Sequence, residues 1–154
     1  MDLDTLLNKN QKEAATYLDS HLRIIAGAGS GKTRVVTYRI AHLIQDVGID
    51  PRSILAITFT NKAANEMKER VNEVVGIHGS GTLICTIHSL CVRLLRQHIN
   101  VLNYPSNFTI MDEEDQKALI KKLYTQLEID AKVISIKSMI NTISSYKTAR
   151  VSPQ

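Results

Sequence analysis

Eight consecutive residues, Ala26-Gly27-Ala28-Gly29-Ser30-Gly31-Lys32-Thr33, combine what is needed to hold a chain of phosphates. Glycines at 27, 29 and 31 let the backbone turn tightly and approach an anion with no Cβ in the way. The N–H groups of such a loop, with Ala28 and Ser30 completing it, converge on one anion. A helix starting behind the loop adds its partial positive charge. Lys32 brings a mobile cation for the outer phosphates, and Thr33 a hydroxyl to ligate Mg²⁺. Ala26 stands where the strict pattern has its first glycine, and alanine is small enough there. The pattern carries this meaning only between a strand and a helix. The apolar run 22–25 reads as that strand and 33–46 as that helix, so the sequence predicts a nucleoside triphosphate site.

The elements that must position this loop follow from local signals. Asn8 reads as the N-cap of a helix running to about residue 19, with Ala14, Ala15 and Leu18 on one face and Gln11 in its first turn. Gly48 and Asp50-Pro51 mark a turn. The run 53–58 is apolar and of strand length, as a parallel strand covered on both faces requires. Phe59-Thr60-Asn61 follows, then a helix with Ala63, Ala64, Met67, Val71 and Val74 on one stripe, broken by Gly76, Gly79 and Gly81. Residues 82–86 read as a third strand and 87–98 as a third helix, with Leu90, Leu94 and Leu95 inward. Strand–helix repeated three times predicts an α/β fold, a parallel sheet flanked by helices with right-handed crossovers. Ligands of such sheets gather at the carboxyl ends of the strands. The glycine loop, Phe59-Thr60-Asn61 and Thr86-Ile87-His88 all fall at such ends.

The pattern changes after residues 103–106. Residues 112–126 form an amphipathic helix with an acidic first turn and Leu119, Leu123 and Leu127 along one side. Residues 133–146 form another, with Ile136, Met139, Ile140 and Ile143 at helical spacing. The expected organisation is a sheet domain over 1–105 and the opening of a helical one over 106–154.

Composition adds limits. The 154 residues are 44% hydrophobic with a net charge of +4, which permits a polyanionic partner without requiring one. No apolar run approaches the ~18 residues of a membrane span, and Met1-Asp2-Leu3-Asp4 is no secretory signal, so a cytoplasmic location is expected. Cys85, His88 and Cys91 are spaced by threes, but three ligands straddling a strand end and a helix make packed thiols the expectation rather than zinc. Phe108-Thr109-Ile110-Met111-Asp112-Glu113 has two readings. One is a Walker B strand whose carboxylates hold Mg²⁺ and orient water. The other is an extended segment entering a helix whose acidic first turn suits the dipole.

Taken in order, Leu7-Asn8-Lys9-Asn10-Gln11, AGAGSGKTR at 26–34, AITFTNKAANEMKERV at 56–71 and CTIHSLCVRLLR at 85–96 resemble the start of a UvrD/PcrA/Rep-type superfamily 1 DNA helicase. The resemblance covers nearly the whole chain, and Ala26 is the usual residue in that family. It implies a RecA-like P-loop motor domain (1A) over 1–105 and the beginning of helical subdomain 1B over 106–154. Gln11 resembles the glutamine that reads adenine, and its two-faced amide suits that task. Arg34 matches a residue lying against the base. Phe59, Thr60 and Asn61 resemble one motif touching single-stranded DNA; Thr86 and His88 resemble a second. Ile87 replaces the phenylalanine common in that second motif. In similar helicases the segment at 108–113 leads into 1B, and the Walker B strand lies further on. The implied ligands are ATP, Mg²⁺, single-stranded DNA and single-strand/duplex junctions, in replication or repair. The chain is then an N-terminal fragment, by itself neither an efficient ATPase nor a helicase. Two other classes fit parts of the pattern: a complete small P-loop nucleotide kinase or NTPase using Asp112 and Glu113, and a non-catalytic nucleic-acid-binding module with a vestigial loop.

Overall fold

Two short helices open the chain, α1 (Leu3–Leu6) and α2 (Lys9–Thr16), in a computed structural model that describes residues 1–152. Pro153 and Gln154, the last residues of the expected helical segment, lie outside the described residues. Asn8 caps α2 through a reciprocal box. Its side chain accepts from Gln11 N (2.9 Å), and the Gln11 side chain accepts from Asn8 N (3.2 Å). The helix ends at Thr16, short of the expected 19, because Tyr17 takes an extended backbone. Helix α1 was not expected: a four-residue turn capped by Asp2 leaves no periodic signal.

Helix α3 (Lys32–Gln45) follows the glycine loop, and β1 (Leu55–Thr58) comes next. Helix α4 (Asn61–Val75), strand β2 (Leu83–Thr86) and helix α5 (Ile87–His98) complete the first of two compact units, Met1–Ser106. Strands β1 and β2 pair in parallel, Leu55 opposite Leu83 through Thr58 opposite Thr86. Strand β1 starts later than expected because Ile54 N donates to Pro51 O (3.1 Å), closing a tight turn over Pro51–Ser53.

The expected three strand–helix repeats are therefore two. Residues 22–25 are in no strand, and Ile25 is 83% exposed. An apolar run supplies β-propensity, but a strand exists only where a second chain segment accepts its hydrogen bonds. None does so here among the described residues. The structure is thus a helix-rich α/β unit around a two-stranded parallel sheet.

Helix α3 sits between two apolar clusters. On one side Val35 packs with Leu3, Leu7 and Ala15. On the other, Ile40 and Ala41 join Ile54, Ile84 and the α4 stripe of Ala64, Met67, Val71 and Val75. Arg39 fastens the first cluster by donating through Nη1 to the carbonyls of Ala14 (3.2 Å) and Tyr17 (2.5 Å) at the end of α2. These carbonyls lack helical partners, and a charged donor in a half-buried place satisfies them. Replacing Arg39 with Met keeps the stem but removes the donors. The expected cost is about 1.5–3 kcal/mol of unfolding free energy, read from the shift of a denaturation midpoint. An unchanged midpoint contradicts the role.

The expected inward set of α5 is not buried, with Leu94 48% and Leu95 41% exposed. A helical stripe states which residues share a face, not whether another element covers it.

The second unit begins at Asn107 and holds α6 (Glu113–Gln126) and α7 (Ile136–Thr148), which pack on each other. Asp112 caps α6, accepting from Glu114 N and Asp115 N at 2.8 Å each. The buried side of α6 is Ile120 and Tyr124, not the Leu119–Leu123–Leu127 row, all three of which are exposed. The two rows lie about 100° apart on one helix, and only the first is buried. On α7, Ile136, Met139, Ile140 and Ile143 are half-buried together, as their spacing predicts.

Candidate functional site

The strand expected before the glycine loop is not formed, so that half of its context fails, while the glycine conformations and the helix behind the loop are as expected. Gly29 and Gly31 have φ of 75° and 83°, the left-handed region that side chains with Cβ adopt at a cost. Ser30 Oγ donates to Gly27 O (2.8 Å), folding the loop back on itself. A Cβ added at Gly27 or Gly29 would meet nothing within 4 Å, so the space above the loop is open.

Gly31 is the N-cap of α3 and offers no side-chain cap. Every other α-helix among the described residues has one, from Asp2, Asn8, Thr60, Thr86, Asp112 or Ser135. The first-turn N–H groups of α3 are therefore left for an external acceptor, and the helix dipole makes an anion the preferred one. Lys32 Nζ rests on the carbonyls of Ala26 (3.0 Å) and Gly27 (2.7 Å) of the same loop. Both are neutral acceptors on an exposed surface, which a phosphate oxygen outcompetes by its charge. Thr33 is exposed in the first turn of α3, beside Lys32. Loop, helix end, cation and hydroxyl fit a Mg²⁺-bound triphosphate.

The residues expected around the base are already engaged. Arg34 Nη2 donates to Leu6 O (2.8 Å), and its guanidinium lies 5.6 Å from the Tyr38 ring centroid. Gln11 Oε1 accepts from Asn8 N, while Nε2 donates to Ser30 O at 3.0 Å inside the glycine loop. That contact escaped the sequence reading. The Asn8-x-x-Gln11 spacing announces the capping box, but nothing local announces a bond 19 residues on.

The carboxyl ends of β1 and β2 lie side by side because Thr58 pairs with Thr86. Phe59, the next residue out from β1, is 102% exposed and takes no part in the core of this unit. Thr60 and Asn61 are exposed at the start of α4, Thr60 capping it by accepting from Ala63 N (3.1 Å). From β2, Ile87 is 48% exposed and His88 is exposed in the first turn of α5. Thr86 differs. It is 6% exposed, and its Oγ1 accepts from Ser89 N (3.2 Å) and shares a hydrogen bond with Ser89 Oγ (2.9 Å). The geometry makes it the cap that orients α5 rather than a surface contact, because its hydroxyl is already used. Thr86→Val is expected to lower stability by about 0.5–2 kcal/mol in a denaturation measurement. An unchanged unfolding midpoint contradicts the cap role.

The packed-thiol expectation fails for Cys91, which is exposed on α5, while Cys85 is half-buried. Among the described residues no group of three His, Cys, Asp or Glu is placed to hold a metal ion. Residues 107–112 form no strand, and Asp112 is spent on capping α6. The Walker B reading of that segment, and with it a self-contained kinase, loses its structural basis.

With this geometry in hand, the chain can be set beside known proteins. The UvrD/REP helicase N-terminal domain family matches residues 7–154. The chain is 46% identical over 148 residues to the ATP-dependent DNA helicase PcrA of Bacillus subtilis, covering 96% of this chain and 20% of that protein. Against the PcrA proteins of Staphylococcus aureus and Staphylococcus epidermidis it is 45% identical, with the same shares covered. The chain thus spans about a fifth of the length of the curated relatives it matches.

Proposed function

This chain belongs to the UvrD/REP helicase N-terminal domain family, and from that premise we propose that it forms the N-terminal, ATP-binding part of an ATP-dependent DNA helicase or translocase. Its substrate is single-stranded DNA and its junctions with duplex, in replication or repair. Residues 1–105 are the first part of a RecA-like motor domain (1A), and 106–154 begin helical subdomain 1B. No helix among the described residues is long and apolar enough to cross a membrane; a cytoplasmic location belongs to the same proposal.

One observation carries the reading: α3 alone of the described α-helices starts without a side-chain cap, directly behind a glycine loop that holds a lysine ammonium. A nucleotide and Mg²⁺ held here would supply the transferable phosphoryl group and the metal charge that neutralises it. Gly27, Ala28, Gly29, Ser30 and Gly31 offer backbone N–H groups to the phosphates. Lys32 would exchange its loop carbonyls for the outer phosphates, and the Thr33 hydroxyl would hold Mg²⁺. Gln11 and Arg34 lie on the base side. At the strand ends Phe59 stacks on a base of any identity, and Thr60, Asn61 and His88 bind phosphate and sugar without reading sequence. Thr86 holds α5 so that His88 faces outward.

The test is strand displacement by the full-length protein carrying this chain. A duplex with a single-stranded tail is expected to be unwound with ATP and Mg²⁺ and left intact without either. Tight DNA binding with no displacement under any nucleotide supports a binding module instead.

A further inference from the structure

Strands β1 and β2 end alike but enter their helices differently. Each ends in a threonine, Thr58 or Thr86, and the two pair in register. Thr86 is itself the N-cap of α5, its Oγ1 accepting from Ser89 N (3.2 Å). On β1 the cap comes two residues on, at Thr60, and Phe59 is the residue between. That extra residue leaves the Thr58 hydroxyl with no cap to form. It donates instead to Thr60 O (3.0 Å), closing a ring of bonds across Phe59. Thr60 is then held at both oxygens. Its carbonyl also accepts from Ala64 N (3.0 Å), and its Oγ1 accepts from Ala63 N (3.1 Å).

We infer that Thr58 is a positioning residue for Phe59, bracing through Thr60 the turn that holds the ring out toward DNA. The inference rests on the DNA reading above and deepens it. The physical reason is that packing does not aim the ring: it is 102% exposed, so no side chain of this unit covers it. Its direction is set by the backbone on either side. A loose backbone there must be ordered when a base arrives, and the lost freedom is subtracted from the stacking energy. The Thr58–Thr60 bond fixes the turn beforehand. Thr58 is suited to this, being β-branched, with few χ1 choices, and half-buried in β1 opposite Thr86. Its acceptor is a carbonyl that α4 already fixes through Ala64 N, so the brace refers Phe59 to a helix rather than to another loop residue.

The test is a double-mutant cycle in the full-length protein, read as the anisotropy of a labelled oligothymidine without nucleotide. Thr58→Val keeps the shape and the branching but removes the donor. It is expected to weaken binding about three- to tenfold, the range one hydrogen bond covers. In a Phe59→Ala background the same substitution is expected to change affinity by less than about twofold, because no ring is left to aim. Thr58→Ser keeps the donor and is expected to bind as wild type does. An equal loss in both backgrounds means that Thr58 touches DNA itself or that the strand end has loosened, and it overturns the positioning role. Unchanged affinity of Thr58→Val also overturns it, as does Thr58→Ser binding as weakly as Thr58→Val, since the brace depends on the donor alone. If Phe59→Ala by itself binds like wild type, the ring is no DNA platform. The DNA reading of this strand end then falls together with the inference, a result distinct from the others because it appears before Thr58 is altered.

Discussion

Replacing Lys32 with alanine in the full-length protein is expected to reduce ATP turnover by about a hundred- to a thousandfold or more. That is the scale of losing one charge-stabilising group at a reacting centre. The residue is exposed, and its bonds in the structure go to two loop carbonyls, Ala26 O and Gly27 O. Water replaces the ammonium at those carbonyls, so truncation leaves no buried group unpaired and the unfolding midpoint hardly moves. Single-stranded DNA binding without nucleotide is expected to remain within about twofold of wild type. Its contacts are assigned to Phe59 and His88 at the sheet end, not to the loop. Steady-state phosphate release and DNA anisotropy on the same preparation check both halves. Normal turnover by the variant removes Lys32 from the mechanism.

The second large effect is at Phe59. With the ring 102% exposed, Phe59→Ala leaves no cavity, and the ~3–5 kcal/mol cost of deleting a core phenylalanine does not arise. The expected loss is in DNA affinity, about 1–3 kcal/mol, or roughly five- to a hundredfold, from one lost stacking contact. Stacking releases no counterions, so the slope of log affinity against log salt is expected to stay at its wild-type value. Loss of a phosphate-bound cation would flatten that slope instead. A lowered melting temperature with unchanged DNA affinity contradicts the stacking role.

How much of this was legible in the sequence depends on the range of the signal. The loop, the cap at Asn8 and helices α3, α4 and α5 rest on residues within one turn of one another; the caps at Thr60, Thr86 and Asp112 are equally local but the sequence reading did not name them. The spacing Asp50-Pro51 marked the turn before β1 but not that the turn would shorten the strand. Where the outcome depended on distant residues, the local pattern misled. The run 22–25 has a strand's composition but no ladder partner, and Leu119 and Leu123 share a helix stripe that α7 leaves uncovered. Leu94 and Leu95 failed for the same reason. Within the site, residue types announced the phosphate loop, whereas Phe59 by itself reads as a core aromatic and its DNA-contact role is implied only by the family resemblance. The bonds from Gln11 to Ser30 and from Arg39 to the end of α2 join segments 19 and 22 residues apart, beyond any periodicity.

The central claim is that one chain joins a phosphate site at the start of α3 to a DNA site at the ends of β1 and β2. The most direct measurement is ATP turnover by the full-length protein with and without saturating single-stranded DNA. Turnover is expected to rise about tenfold or more with DNA, equivalent to at least ~1.4 kcal/mol off the barrier. In Phe59→Ala the rise requires correspondingly more DNA and reaches the same plateau. Turnover that is identical with and without DNA contradicts the claim.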